Sequence, residues 1–87
     1  TSYNIINGRR CCESYEQLQG ILRDEWGFEG MITTDWDVPC DQANCVLAGN
    51  DIRMPSSAKD DLKAGDVDRN VLAQSVKRLL EMILWLE

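Results

Sequence analysis

The sequence contains no histidine, no Cys-x-x-Cys pair, only two prolines and no excess of basic residues. Each absence removes a class of function. Without histidine or a Cys-x-x-Cys pair no ligand set for a structural zinc ion is visible, so no metal is expected. A net charge of −6 argues against a nucleic-acid partner, which is bound through a basic face. No apolar run approaches the ~20 residues that a membrane-crossing helix needs, so no membrane partner is expected either. There is no signal peptide and no initiating methionine. The chain opens on Thr1-Ser2-Tyr3-Asn4-Ile5-Ile6, which reads as the end of a strand without its lead-in. That opening suggests a chain cut from something longer, so the missing leader does not decide localisation.

What is present is an ordinary globular composition, 44% apolar and 28% charged, with six glycines. Its 87 residues suffice for one small core. They are too few for a complete (β/α)8 barrel, which takes roughly 250. Of the four cysteines, Cys11 and Cys12 are adjacent and Cys40 and Cys45 are five apart. Long apolar helices can build a core without disulfides. Buried free thiols in a reducing compartment, cytoplasmic rather than secreted, are therefore expected. The alternative, a disulfide-stapled binding protein, would require Cys11 or Cys12 to join Cys40 or Cys45.

Along the chain, Asn7-Gly8 is a turn signal after the opening apolar run. Ser14 and Gln17 have the spacing of a capping box, and Leu18, Ile21, Leu22 and Trp26 form an apolar stripe up to Gly27, a helix stop. Gly30 to Thr34 reads as a buried strand. Asp37 with Pro39 predicts the next helix start, which Ala43, Val46 and Leu47 carry to Gly49. Asp51 to Met54 is a second strand, ended by Pro55. After a polar stretch, Asp66 or Asp68 caps the longest helix, with Leu72, Val76, Leu79, Ile83 and Leu86 on its apolar face. The alternation predicts an α/β fold: a partial (β/α)8 barrel of about three βα units with parallel strands, filling residues 1–87 as one domain.

In such an arrangement chemistry sits where strands end and the chain turns into the next helix. Asp35 occupies one such position. A carboxylate there can be a nucleophile, a general base, a metal ligand or a sugar-hydroxyl acceptor, and it can also simply cap a helix. Because Asp37 and Pro39 already account for the helix start, Asp35 is spare, which tilts the balance towards function. Trp36 can be a platform for a sugar face or part of the core. The Tyr3 hydroxyl could orient a carboxylate by hydrogen bonding. Asp24-Glu25, Asp60-Asp61 and Lys77-Arg78 read as solvated faces, and Met54 and Met82 as packing.

Four segments together carry a resemblance. Ser2-Tyr3-Asn4-x-x-Asn7-Gly8, Leu22-Arg23-Asp24-Glu25-Trp26-Gly27-Phe28-x-Gly30, Thr34-Asp35-Trp36 and Ala48-Gly49-Asn50-Asp51-x-x-Met54-Pro55 resemble glycoside hydrolase family 3, in that family's order and at about its spacing. The resemblance is specific from Thr1 to about Pro55. It implies that the chain is similar to the last three βα units of the family's TIM-like N-terminal domain. It makes Asp35 the catalytic nucleophile, with Trp36 lining the sugar subsite and Tyr3 beside the nucleophile. Thr34 replaces the serine more often seen, and Asn50 stands where many members are apolar; both point to a bacterial subgroup. The implied reaction is retaining hydrolysis of a β-linked oligosaccharide or glycoside, with no cofactor. No acid/base candidate is visible in this chain. The remaining domains of the parent enzyme are therefore expected to supply it, and the chain alone is expected to be inactive. An unpaired sheet edge predicts self-association. The competing reading is a non-catalytic α/β module or half barrel in which Asp35 is structural, its carboxylate taken up by the next helix.

Overall fold

The computed structural model describes residues 1–57 and 62–87. The acidic pair Asp60-Asp61 lies outside the described residues.

Asn7 and Gly8 both take positive φ, 51° and 77°, the combination a type I′ turn requires. The turn folds β1 (Ile5–Ile6) back onto β2 (Arg9–Arg10) as an antiparallel hairpin, Ile5 opposite Arg10 and Ile6 opposite Arg9. The opening run is therefore not a parallel strand, and its two isoleucines are exposed. Its first residue does join the centre of the fold, where the Thr1 amino group donates to the Thr33 carbonyl at 2.6 Å.

A 3₁₀ turn, Cys11–Glu13, follows. Ser14 Oγ then accepts the Gln17 N–H at 3.4 Å, half of the expected capping box. The other half is not made, because the Ser14 N–H already donates to the Cys11 carbonyl and Gln17 Oε1 accepts from Cys11 Sγ at 3.7 Å. The helix Glu16–Glu25 is wound as a π-helix, wider than the α-helix that the spacing predicts. That winding takes the stripe out of register. Leu18 is buried and Leu22 packs against it, while Ile21 and Trp26 are exposed.

At the centre, the segments around Thr33 and Ile52 run parallel and meet in a single isolated bridge. The Asp51 N–H donates to the Ile32 carbonyl at 2.7 Å, and the Thr34 N–H to the Ile52 carbonyl at 3.0 Å. Among the described residues this bridge and the hairpin are the strand pairing there is, less than three parallel strands. Side chains replace the ladder at both ends. The Ile32 N–H donates to Asp51 Oδ2 and the Met54 N–H to Thr34 Oγ1, each at 3.0 Å.

Helix α1 (Gln42–Ala48) is capped by Asp41, whose side chain accepts the Asn44 N–H at 2.9 Å. Asp37 and Pro39 do not start it. The helix ends at Gly49, whose φ of 117° is open to glycine and strained for other residues. Helix α2 (Arg69–Leu86) is capped by Asp68 through the Asn70 N–H at 2.7 Å, while Asp66 accepts the Lys63 N–H instead. The inner face of α2 is not the expected apolar one. Leu72 and Leu79 are half-buried, but Val76, Ile83 and Leu86 are exposed, and Ser75 is buried.

The reason is Asp51, whose side chain is fully buried. Its Oδ1 accepts Ser75 Oγ and Arg78 Nη2, both at 2.7 Å, and its Oδ2 accepts Arg23 Nη2 at 3.2 Å. A buried carboxylate is tolerated only when paired in this way. Arg78, expected on a solvated face, therefore turns inward, while its neighbour Lys77 stays exposed and reaches Glu81 at 3.9 Å. Two small apolar clusters flank this ion-paired centre: Leu18, Ile32 and Ala48, and Cys12, Val38, Cys40 and Cys45. All four cysteines are free thiols. Burial pushes the Cys12 thiol up to about 11 and Cys45 further still. Asn50, almost fully buried, ties together two members of the cysteine cluster: its Nδ2 donates to the Cys12 carbonyl at 2.6 Å and the Cys45 carbonyl at 2.9 Å. No helix among the described residues is long and apolar enough to cross a membrane.

Candidate active site

The parallel segment that holds Thr33 delivers Asp35 to its C-terminal end. Thr34 anchors that end: it is 2% exposed, and its hydroxyl accepts the Met54 N–H. A hydroxyl is what this position uses, so threonine serves where serine would. The next residue, Asp35, is exposed, and its Oδ1 accepts the N–H of its neighbour Trp36 at 2.6 Å. Helix α1 makes no claim on this carboxylate, because Asp41 caps it.

Trp36 is 59% exposed and Tyr3 44%, so neither is core. The Tyr3 hydroxyl donates to the Trp36 carbonyl and not to a carboxylate, and Arg10 Nη1 donates to the Tyr3 carbonyl at 2.9 Å. The tyrosine thus pins the backbone that follows Asp35. Partial desolvation, with Asp37 and Asp35 nearby, holds the Tyr3 hydroxyl above its ordinary value, against a smaller opposing effect of Arg10. Tyr3, Asp35, Trp36 and Asp37 therefore share one rim.

Asp37 takes a left-handed φ of 52°. Its N–H donates to the Pro55 carbonyl at 2.9 Å, and its Oδ1 accepts the Ser57 N–H at 2.6 Å and the Ser57 hydroxyl at 2.9 Å. Those donors hold its carboxyl below the usual carboxylate range. The loop 35–39 is thereby tied to residues 55–57, and Trp36 projects from between the ties. All three residues picked out from the sequence come together here. What sequence reasoning missed is the tether by Asp37 and the buried hub at Asp51. A charged residue inside a strand-like apolar run was the available signal for the hub.

No family model matches the chain. The chain is 58% identical over 52 residues to beta-glucosidase A of Butyrivibrio fibrisolvens, which covers 60% of this chain and 6% of that protein. It is 32% identical over 89 residues to thermostable beta-glucosidase B of Acetivibrio thermocellus, covering 94% of this chain and 12% of that one. Among solved structures, the GH3 beta-glucosidase of Bifidobacterium adolescentis matches with a TM-score of 0.83 at 31% identity, over 94% of this chain and 13% of that chain. The chain thus spans between 6% and 13% of the length of these proteins. By sequence and by backbone geometry alike, the chain belongs to glycoside hydrolase family 3.

Proposed function

We propose that this chain carries the nucleophile of a retaining glycoside hydrolase acting on β-linked glycosides or oligosaccharides, and that the nucleophile is Asp35. The observation that supports this best is the disposition of its carboxylate: exposed at the end of the central segment, beside Trp36 and Tyr3, and left alone by α1. A purely structural aspartate would be taken up by helix N–H groups. Among the described residues its bond is to the adjacent Trp36 amide, which orients the carboxylate and leaves lone pairs for reaction.

The mechanism uses two carboxyl groups about 5–5.5 Å apart. Asp35 attacks the anomeric carbon and forms a covalent glycosyl-enzyme. The second group protonates the departing oxygen and then takes a proton from the water that releases the sugar. Asp37 is unsuited to that second role. Ser57 holds its carboxyl low, whereas a general acid needs a raised value. The acid/base comes from elsewhere in the parent enzyme, and no cofactor is required. The exposed ring of Trp36 offers an apolar face to the sugar, while Tyr3 fixes the backbone that carries it. The segments near Thr1, Thr33 and Ile52 are read as the last strands of a (β/α)8-type barrel, whose other strands would hold the sugar hydroxyls. The chain alone lacks those groups and is inactive.

The test is to incubate the full-length protein with a 2-fluoro-glycoside, which traps the glycosyl-enzyme, and to map the labelled peptide by mass spectrometry. Label on Asp35 is the expected result, with Asp35→Ala losing on the order of 10³-fold or more in turnover. Absence of label on Asp35 across a panel of sugars and linkages, or turnover of an aryl β-glucoside by the 87-residue chain alone, would overturn the proposal.

A further inference from the structure

We propose that the sulfurs of Cys12, Cys40 and Cys45 form a binding site for a soft monovalent metal ion, copper(I). Neither the spacing in the sequence nor the glycosidase chemistry calls for such a site. The fold creates it by bringing the 3₁₀ turn Cys11–Glu13 against the loop that enters α1 and against α1 itself.

The three sulfurs lie within 4.8 Å of one another, with Cys40 and Cys45 at 2.9 Å. A trigonal thiolate site with metal–sulfur bonds of about 2.3 Å places its sulfurs about 4 Å apart. The observed triangle therefore needs adjustments of about an ångström. All three residues are buried, at 0%, 7% and 1% exposure, with Val38 at 1% completing the cluster. The donors are sulfur throughout.

That donor set selects among metals. Zinc takes four ligands in a structural site, and among the described residues no fourth side chain belongs to this group. Cys11 Sγ is turned to Gln17, and the Glu13 carboxylate accepts the Asp41 N–H and Asn44 Nδ2. Calcium, magnesium and manganese want oxygen donors. Three thiolates in a dry pocket suit copper(I), the soft ion of the first transition row. Each ligating thiol gives its proton to solvent as its sulfur–copper bond forms. Copper enters already reduced, so no electrons change hands. The Arg53 guanidinium donates to the Cys40 carbonyl at 3.3 Å and so holds the backbone that carries this ligand.

The full-length protein, reduced and kept free of oxygen, would be titrated with copper(I) in competition with bathocuproine disulfonate and examined by X-ray absorption at the copper edge. The proposal expects one equivalent retained against the chelator, with three sulfur neighbours and no nitrogen or oxygen. Cys12→Ser and Cys45→Ser, each checked for folding by circular dichroism, should lose that equivalent, and Cys11→Ser should keep it. Complete removal of copper from the unaltered protein would overturn the proposal, as would nitrogen or oxygen in the first coordination shell. So would retention by folded Cys12→Ser. The absorption spectrum of the unaltered protein decides the matter even if a variant does not fold.

Discussion

Two carboxylates two residues apart, Asp35 and Asp37, are put to different uses by the backbone between them. Asp37, turned into the left-handed region, faces the Ser57 amide and hydroxyl, which stabilise its charged form and lower its pKa. Asp35, at the end of its segment, is left facing solvent. The consequence for pH follows from the sign of the shift. A carboxyl lowered on folding stabilises the fold above its unfolded value, and that contribution is lost as pH falls through the lowered one. The tie between residues 37 and 57 should hold at mildly acidic pH and release only in stronger acid. Ser57→Ala removes one of the donors to Asp37, so the Asp37 carboxyl should titrate closer to the ordinary aspartate value in a carbon-13 NMR titration. An unchanged titration would remove the tether from the account. Asp35 and Trp36 were legible in the sequence because their neighbours form a recognisable motif. The role of Asp37 was not, since residue type does not reveal a positive φ or a partner twenty residues away. Assigning it the helix cap followed from that.

At the scale of elements, local signals worked where the chemistry is local. Asn7-Gly8, Gly27, Gly49 and Asp68 all do what their residue types suggest. The cap of α1 shows the limit of that reasoning. Asp37-x-Pro39 and Asp41-x-x-Asn44 both have start-like patterns, and the choice between them is made by Pro55 and Ser57, which are distant in sequence. Asp41→Ala should cost about 1 kcal/mol, read as a lower urea midpoint for the protein that carries it. A change of less than a few tenths would return the cap to another residue. Periodicity misled in two helices. In Glu16–Glu25 the π winding displaced an α-spaced stripe. In α2 the attraction of Ser75 and Arg78 to Asp51 rotated the helix away from the face defined by Val76, Ile83 and Leu86. Hydrophobic spacing counts apolar side chains and is blind to one buried charge that outweighs several of them.

For the molecule as a whole, the large apolar residues that α2 does not bury stand in solvent: Val76, Leu80, Ile83, Leu84, Leu86 and Trp85, the last at 79% exposure. Contiguous apolar surface of this kind is an association hazard. The isolated chain should therefore self-associate in sedimentation velocity at tens of micromolar, and a monodisperse monomer there would show that the exposed face is tolerated. The opposite of that loose exterior is the Asp51 hub. Asp51→Ala leaves two arginines without their counter-ion in a region where their side chains are 7% and 16% exposed. Losing one partner of a buried pair costs about 3–5 kcal/mol, a large part of the ~5–15 kcal/mol that holds a typical domain folded. The urea midpoint should fall accordingly, and a drop under 1 kcal/mol would make the hub dispensable. The hub also governs how the molecule comes apart. Its partners lie 28 residues before Asp51 and 27 after it, so two long loops must close before the carboxylate is satisfied. Neither the π-helix nor α2 can then peel away without stranding a charge. Segments that look only loosely attached by their apolar contacts are bound to open together, in a single cooperative step.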